Sequence, residues 1–177
     1  SAKSDELLLR EASEPAHYDL ALLPELGLSR GGKPVSDAEL NAAAAACIAL
    51  AEQLLEQGLT FSLVIPTRQG LTLREIRTLR QFHRMLPDWL SLPVPVQSGT
   101  GLRLFISDRV EQYFSRLLIV SAGRFSENLG GIEHRIGVTV VSLADGASPA
   151  YADLGRAGES VVLPSVPEDG ESFRIVC

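Results

Sequence analysis

The residues best placed to do chemistry stand at the end of an apolar run. Residues 18–23 read Tyr-Asp-Leu-Ala-Leu-Leu and continue into Pro24-Glu25-Leu26-Gly27-Leu28-Ser29. An acid, a glycine and a hydroxyl after a buried strand mark the loop at its carboxyl end. In open α/β sheets that end is where ligand crevices form. A second candidate is Ser98-Gly99-Thr100-Gly101, which precedes a helical pattern. Backbone amides at such a helix start hold anions; the same residue types are also favoured as plain caps. A third is the set Arg74, Arg77, Arg80 and Arg84, a basic stripe on one face of an expected helix. It reads either as a solvated face or as a docking surface for an acidic partner. The chain's 3 histidines, His17, His83 and His134, lie far apart with no ligand or nucleophile at motif spacing. There is no Gly-x-Ser-x-Gly elbow, no phosphate-binding Gly-x-x-x-x-Gly-Lys loop and no dinucleotide fingerprint.

These residues must be positioned by alternating strands and helices. Residues 6–12 and 18–23 read as strands, the latter buried on both faces as in a parallel sheet. Residues 29–34 are a loop by composition. Ser36 with Glu39 forms a capping box for a helix over 37–57, with Gly58 as its left-handed stop. A strand follows at 61–65 and a turn at 66–70. Thr72 with Glu75 suggests a second capping box, and a helix running to 86 with Leu73, Ile76, Leu79, Phe82 and Leu86 on one face. Pro87 is expected to end it. Residues 90–96 are irregular. Residues 102–114 suit a helix, with a strand over 102–106 as the competing reading. Further expectations are a strand at 117–120, a weak helix over 125–136, a strong strand at 138–143 and a loop over 144–157. Late strands at 161–163 and 173–176 suggest an edge hairpin. Right-handed crossovers then give a doubly wound, mainly parallel α/β sheet with helices on both faces, of the Rossmann type.

The bulk numbers agree with one globular domain. The chain has 177 residues, 45% hydrophobic and 21% charged. Its net charge of −6 argues against nucleic acid, which needs a basic footprint. Its 2 cysteines, Cys47 and Cys177, form no metal-type spacing and fit a reduced, intracellular setting. No apolar run of about 18 residues or signal-peptide pattern stands out, so a soluble domain over 1–177 is expected.

The opening segment Ser1-Ala2-Lys3-Ser4-Asp5-Glu6-Leu7-Leu8-Leu9-Arg10-Glu11 resembles the signature of a bacterial domain-of-unknown-function family, number fifty-eight. In that family the segment leads into a von Willebrand factor A-like domain, and the strand-loop-helix order here is similar over nearly the whole chain. The resemblance implies a piece of a longer protein, anchored by upstream membrane helices with this region on the cytoplasmic face. It also implies a non-enzymatic role in assembly or maturation beside a MoxR-type AAA+ ATPase.

A von Willebrand A domain holds Mg²⁺ through an Asp-x-Ser-x-Ser loop, a threonine and a later aspartate. Carried over, the loop becomes Glu25, Gly27 and Ser29, the threonine Thr100, and the last aspartate Ala122. One carboxylate and two hydroxyls compensate poorly for dehydrating Mg²⁺, so the resemblance implies a degenerate ion site with weak or no binding. The expected function is a protein-interaction module whose loops at 24–35, 97–101 and 121–128 converge on one rim. The alternative is a domain binding a phosphorylated small molecule through Ser98–Gly101. A domain that only scaffolds its neighbours is a third reading.

Overall fold

A computed structural model describes residues 18–143, except 124 and 126, and residues 158–163. The expected strand at 6–12, the loop at 144–157 and the strand at 173–176 lie outside the described residues.

The chain enters through strand β1 (Tyr18–Glu25), whose core residues Ala21, Leu22 and Leu23 are fully buried. A small hairpin follows, β2 (Ser29–Arg30) and β3 (Lys33–Pro34), turned through Gly31 and Gly32 at φ 54° and 81°. Positive φ at both central residues is what a two-residue turn of this hand requires, and glycine adopts it without strain. Helix α1 (Asp37–Glu56) starts at the expected capping box, with the Ser36 side chain accepting from the Glu39 amide. At 20 residues and mean hydropathy 1.3 it is long and apolar enough to cross a membrane by composition alone. Here it packs Ala43, Ala46, Cys47, Leu50 and Ala51 against the sheet. Burial pushes the Cys47 thiol up to about 12, leaving it protonated and inert.

Strands β4 (Phe61–Thr67) and β5 (Gly70–Ile76) form a tight antiparallel hairpin. This corrects the helix expected from 72. Arg68-Gln69 makes the turn, and Gly70 takes φ 121°, open to glycine and strained for other residues. Thr72 and Glu75 cap nothing: Thr72 pairs with Ile65 across the ladder, and Glu75 bonds Arg77 at 2.9 Å. Tertiary pairing wins because the flanking apolar residues can alternate as well as rotate. Helix α2 (Leu79–Leu90) starts instead at Thr78, whose side chain accepts from the Gln81 amide. It runs through Pro87, contrary to expectation. Starting later places Phe82 and Trp89 seven positions apart on one buried face, and that burial opposes the bond lost at proline. Phe82 meets Phe61 edge-on, with ring centroids 6.2 Å apart.

Helix α3 (Thr100–Ser107) is shorter than the expected 102–114. Arg109 turns left-handed at φ 54°, and a 3₁₀ turn (Val110–Tyr113) leads into β6 (Phe114–Ser121). The weak helix expected over 125–136 is reduced to a 3₁₀ turn, Ile132–His134, as Gly130 and Gly131 are both at positive φ. Strands β7 (Gly137–Leu143) and β8 (Gly158–Leu163) complete the sheet. β8 runs parallel to β7 and includes the expected strand at 161–163; the hairpin partner expected at 173–176 lies outside the described residues.

Among the described residues the sheet order is β5-β4-β1-β6-β7-β8, parallel except for β5. One face carries α1 and α2 over Leu22, Leu63, Ile65 and Leu118. The other carries α3 over Ala21, Leu23, Val64 and Ile119. Helices thus cover both faces, as expected for a doubly wound sheet.

The two competing starts of α2 can be separated by substitution. Thr78→Ala should cost about 1 kcal/mol in urea unfolding through loss of its cap. Thr72→Ala should leave the α2 amides as protected from hydrogen exchange as before. Loss of that protection in Thr72→Ala alone would restore the earlier start.

Candidate functional site

The parallel strands β1 and β6 finish side by side, with Glu25 paired to Ser121. The Ala122 amide then donates to the Glu25 carbonyl at 3.1 Å, which carries the pairing one step past the sheet. The loop after β1 is sewn to the segment before α3. Leu28 N–H donates to Pro95 O at 2.9 Å, and Ser98 N–H to Ser29 O at 2.7 Å. Gly27 makes this approach possible, because a Cβ there would overlap the backbone of Ser98. The three loops expected to converge do so.

At the centre, Glu25 is 2% exposed and its carboxylate lies on the start of α3. Its Oε2 accepts from the Gly99 amide at 3.0 Å and its Oε1 accepts from the Leu102 amide. Gly101 leaves the room: a Cβ there would sit 2.7 Å from Glu25 Oε1 and 2.9 Å from Leu23 Cδ1. Three influences act on this acid. Burial, the largest, disfavours the charge; the amides of Leu102 and Gly99 favour it; the neighbouring Glu127 carboxylate disfavours it again. The outcome is a carboxyl pushed up to about 7.

Beside it stands Arg30, presented by the β2–β3 hairpin. Its Nη2 donates to Ser121 Oγ at 2.7 Å, Ala122 O at 3.1 Å and Ser98 Oγ at 3.2 Å. One guanidinium therefore ties the loop after β1 to the segment before α3 and to the end of β6.

The residues carried over by resemblance are brought to one rim, but not as ion ligands. Glu25 turns both oxygens to backbone amides. Gly27 and the buried Ala122 offer no donor side chain. Thr100 Oγ1 donates to Gln97 O at 2.7 Å, within its own loop, and accepts from Arg103 Nη2 at 3.4 Å. Ser29 contributes its carbonyl to the loop pairing. Among the described residues no cluster of three or more His, Cys, Asp or Glu side chains is placed to hold a metal ion. This donor set does not fit Mg²⁺, which asks for several oxygen ligands near octahedral positions.

The arginine stripe is redistributed. Arg74 lies on β5, Arg77 in the link, and Arg80 and Arg84 on α2, so the four do not share a helix face. Arg77 is paired with Glu75 at 2.8 Å. Arg74 and Arg84 face one groove between β5 and α2, floored by Ile76 and Trp89 and shared with Asp88. His83 links α2 to Glu52 of α1 at 2.7 Å, and His134 is exposed; His17 lies outside the described residues. Sequence reasoning missed Arg30, Ser121 and Glu127. Only Arg30 had a signal: Gly31-Gly32 between short extended pairs marks a hairpin that would aim its neighbour.

No protein-family model matches the chain, and no curated protein does. Among solved structures the chain is similar to the SpRpn10 VWA domain, at 13% identity over 86% of this chain and 90% of that one, with a TM-score of 0.42. The fold is a doubly wound, mainly parallel α/β sheet. Among the described residues, five parallel strands with one antiparallel edge put the rim at the carboxyl ends of β1 and β6, where the sequence placed it.

The raised carboxyl gives a pH signature of definite sign. Unfolded, Glu25 releases its proton near the ordinary 4.5; folded, it keeps the proton until about 7. Between those values the folded state binds the extra proton, so this group's contribution to stability falls as pH rises. Glu25→Gln removes the titration. The stability of the wild type minus that of Glu25→Gln should fall by about 3 kcal/mol from pH 4.5 to pH 7 in urea titrations. A flat difference would mean the carboxylate is charged throughout.

Proposed function

We propose that the chain is a non-enzymatic protein-interaction module from a bacterial membrane-anchored protein, on the cytoplasmic face. In this reading it belongs with domain-of-unknown-function family fifty-eight, carries a degenerate ion site, and works with a MoxR-type AAA+ ATPase in assembly or maturation. One observation carries the interaction reading. The two loops sewn together at the rim leave large apolar side chains in solvent: Leu28 at 42% exposure and Val96 at 74%. The bond from Leu28 N–H to Pro95 O keeps Leu28 and Val96 on neighbouring backbone. Exposed apolar residues gathered beside a polar rim are the usual mark of a protein-docking face.

The alternative, a phosphorylated small molecule at Ser98–Gly101, meets an obstacle. The amides of Gly99 and Leu102 that would hold a phosphate already donate to Glu25. A phosphate would have to displace a buried carboxylate. The arginine groove is a better candidate for an acidic segment of a partner, through Arg74 and Arg84.

Capture of a purified MoxR-type ATPase tests the reading. The double variant Leu28→Ser, Val96→Ser should lose capture by about tenfold or more, as expected when central apolar anchors are removed. Its unfolding free energy should change by no more than about 0.5 kcal/mol, since the side chains are exposed. Arg74→Glu with Arg84→Glu, run in parallel, reports on the groove. Capture unchanged in Leu28→Ser, Val96→Ser would remove the rim from the interface.

A further inference from the structure

The rim holds a cation of its own. Arg30 Nη2 reaches acceptors on two other segments: Ser98 Oγ before α3, and Ser121 Oγ and Ala122 O at the end of β6. These are two hydroxyls and a carbonyl, neutral oxygens converging on one positive group. Such a set, met by the single nitrogen Nη2, suits a guanidinium, whose hydration is weak. It does not suit Mg²⁺, which needs carboxylate charge to offset its dehydration.

The presentation of Arg30 is equally specific. The hairpin pairs Ser29 with Pro34 and Arg30 with Lys33, and turns through Gly31 and Gly32 at positive φ. The strand carrying Arg30 is anchored in turn, because Ser29 bridges to Gln97 and accepts from the Ser98 amide. At the centre of the rim Glu25, with the Glu127 carboxylate beside it, faces the start of α3 and holds that helix by its amides.

We infer that Arg30 is the resident cation of this rim: its guanidinium makes from within the chain the cross-loop contacts that a bound divalent ion would otherwise have to make. The rim is therefore assembled in the absence of metal and is indifferent to its addition. The inference concerns the same rim as the interaction reading but stands on internal contacts, and its readouts do not involve a partner.

The experiment is amide hydrogen exchange at Ser98, Gly99, Leu102 and Ala122, on the full chain, with EDTA and with millimolar Mg²⁺. In the wild type, exchange at these amides should agree between the two conditions within about twofold. Arg30→Ala should exchange about tenfold faster at Ser98 and Ala122, reflecting lost charge-assisted bonds. Ethylguanidinium at millimolar concentration should restore protection in Arg30→Ala, and Mg²⁺ should not. Arg30→Lys, which keeps the charge without the planar fork, should fall between the two. Slower exchange of the wild type in Mg²⁺ than in EDTA overturns the inference, as does unchanged exchange in Arg30→Ala. Should Arg30→Ala fail to fold, the wild-type comparison and Arg30→Lys still decide. Full protection in Arg30→Lys would make the guanidinium dispensable.

Discussion

The contact on which the rest of this rim depends is the Glu25 carboxylate lying across the amides of Gly99 and Leu102. It fastens the end of the central strand to the start of the helix on one face of the sheet. A buried acid is costly unless its lone pairs are satisfied, and α3 satisfies both oxygens from the backbone. That arrangement fixes much around it. Gly101 must lack a side chain, Gly99 adopts φ 78°, and the Thr100 hydroxyl donates back to Gln97 O.

Charge in the rim is handled by internal partners. The helix start meets Glu25, and the hydroxyls of Ser98 and Ser121 meet Arg30. The geometry draws the rim loops together with a side-chain carboxylate and a side-chain guanidinium, and leaves Leu28 and Val96 exposed on the rim. The rim is cross-linked within and carries exposed apolar side chains at its edge.

The hairpin formed by β4 and β5 shows where local reasoning gave way. Thr72 and Glu75 have the spacing of a capping box, and Leu73, Ile76 and Leu79 the spacing of a helix face. The same residues alternate acceptably along a strand. What decides is β4: pairing β5 along it satisfies backbone groups across seven residues on each side, from Phe61 with Ile76 to Thr67 with Gly70. The consequence for function is direct, because the four arginines expected on one helix face are split between strand, link and helix.

The sequence by itself determined the α/β class, the buried β1, the Ser36–Glu39 start of α1 and the position of the rim. These follow from hydrophobic period and cap chemistry, which are local and survive any packing. It also showed that Gly27 and Ala122 bring no ligand. Tertiary structure alone decided that Glu25 faces an amide cluster, and that Arg30 crosses to Ser98 and Ser121. Those contacts join residues 68 to 91 positions apart for Arg30, and 74 and 77 for Glu25. No local pattern encodes them, since they exist only once the parallel strands have brought their carboxyl ends together.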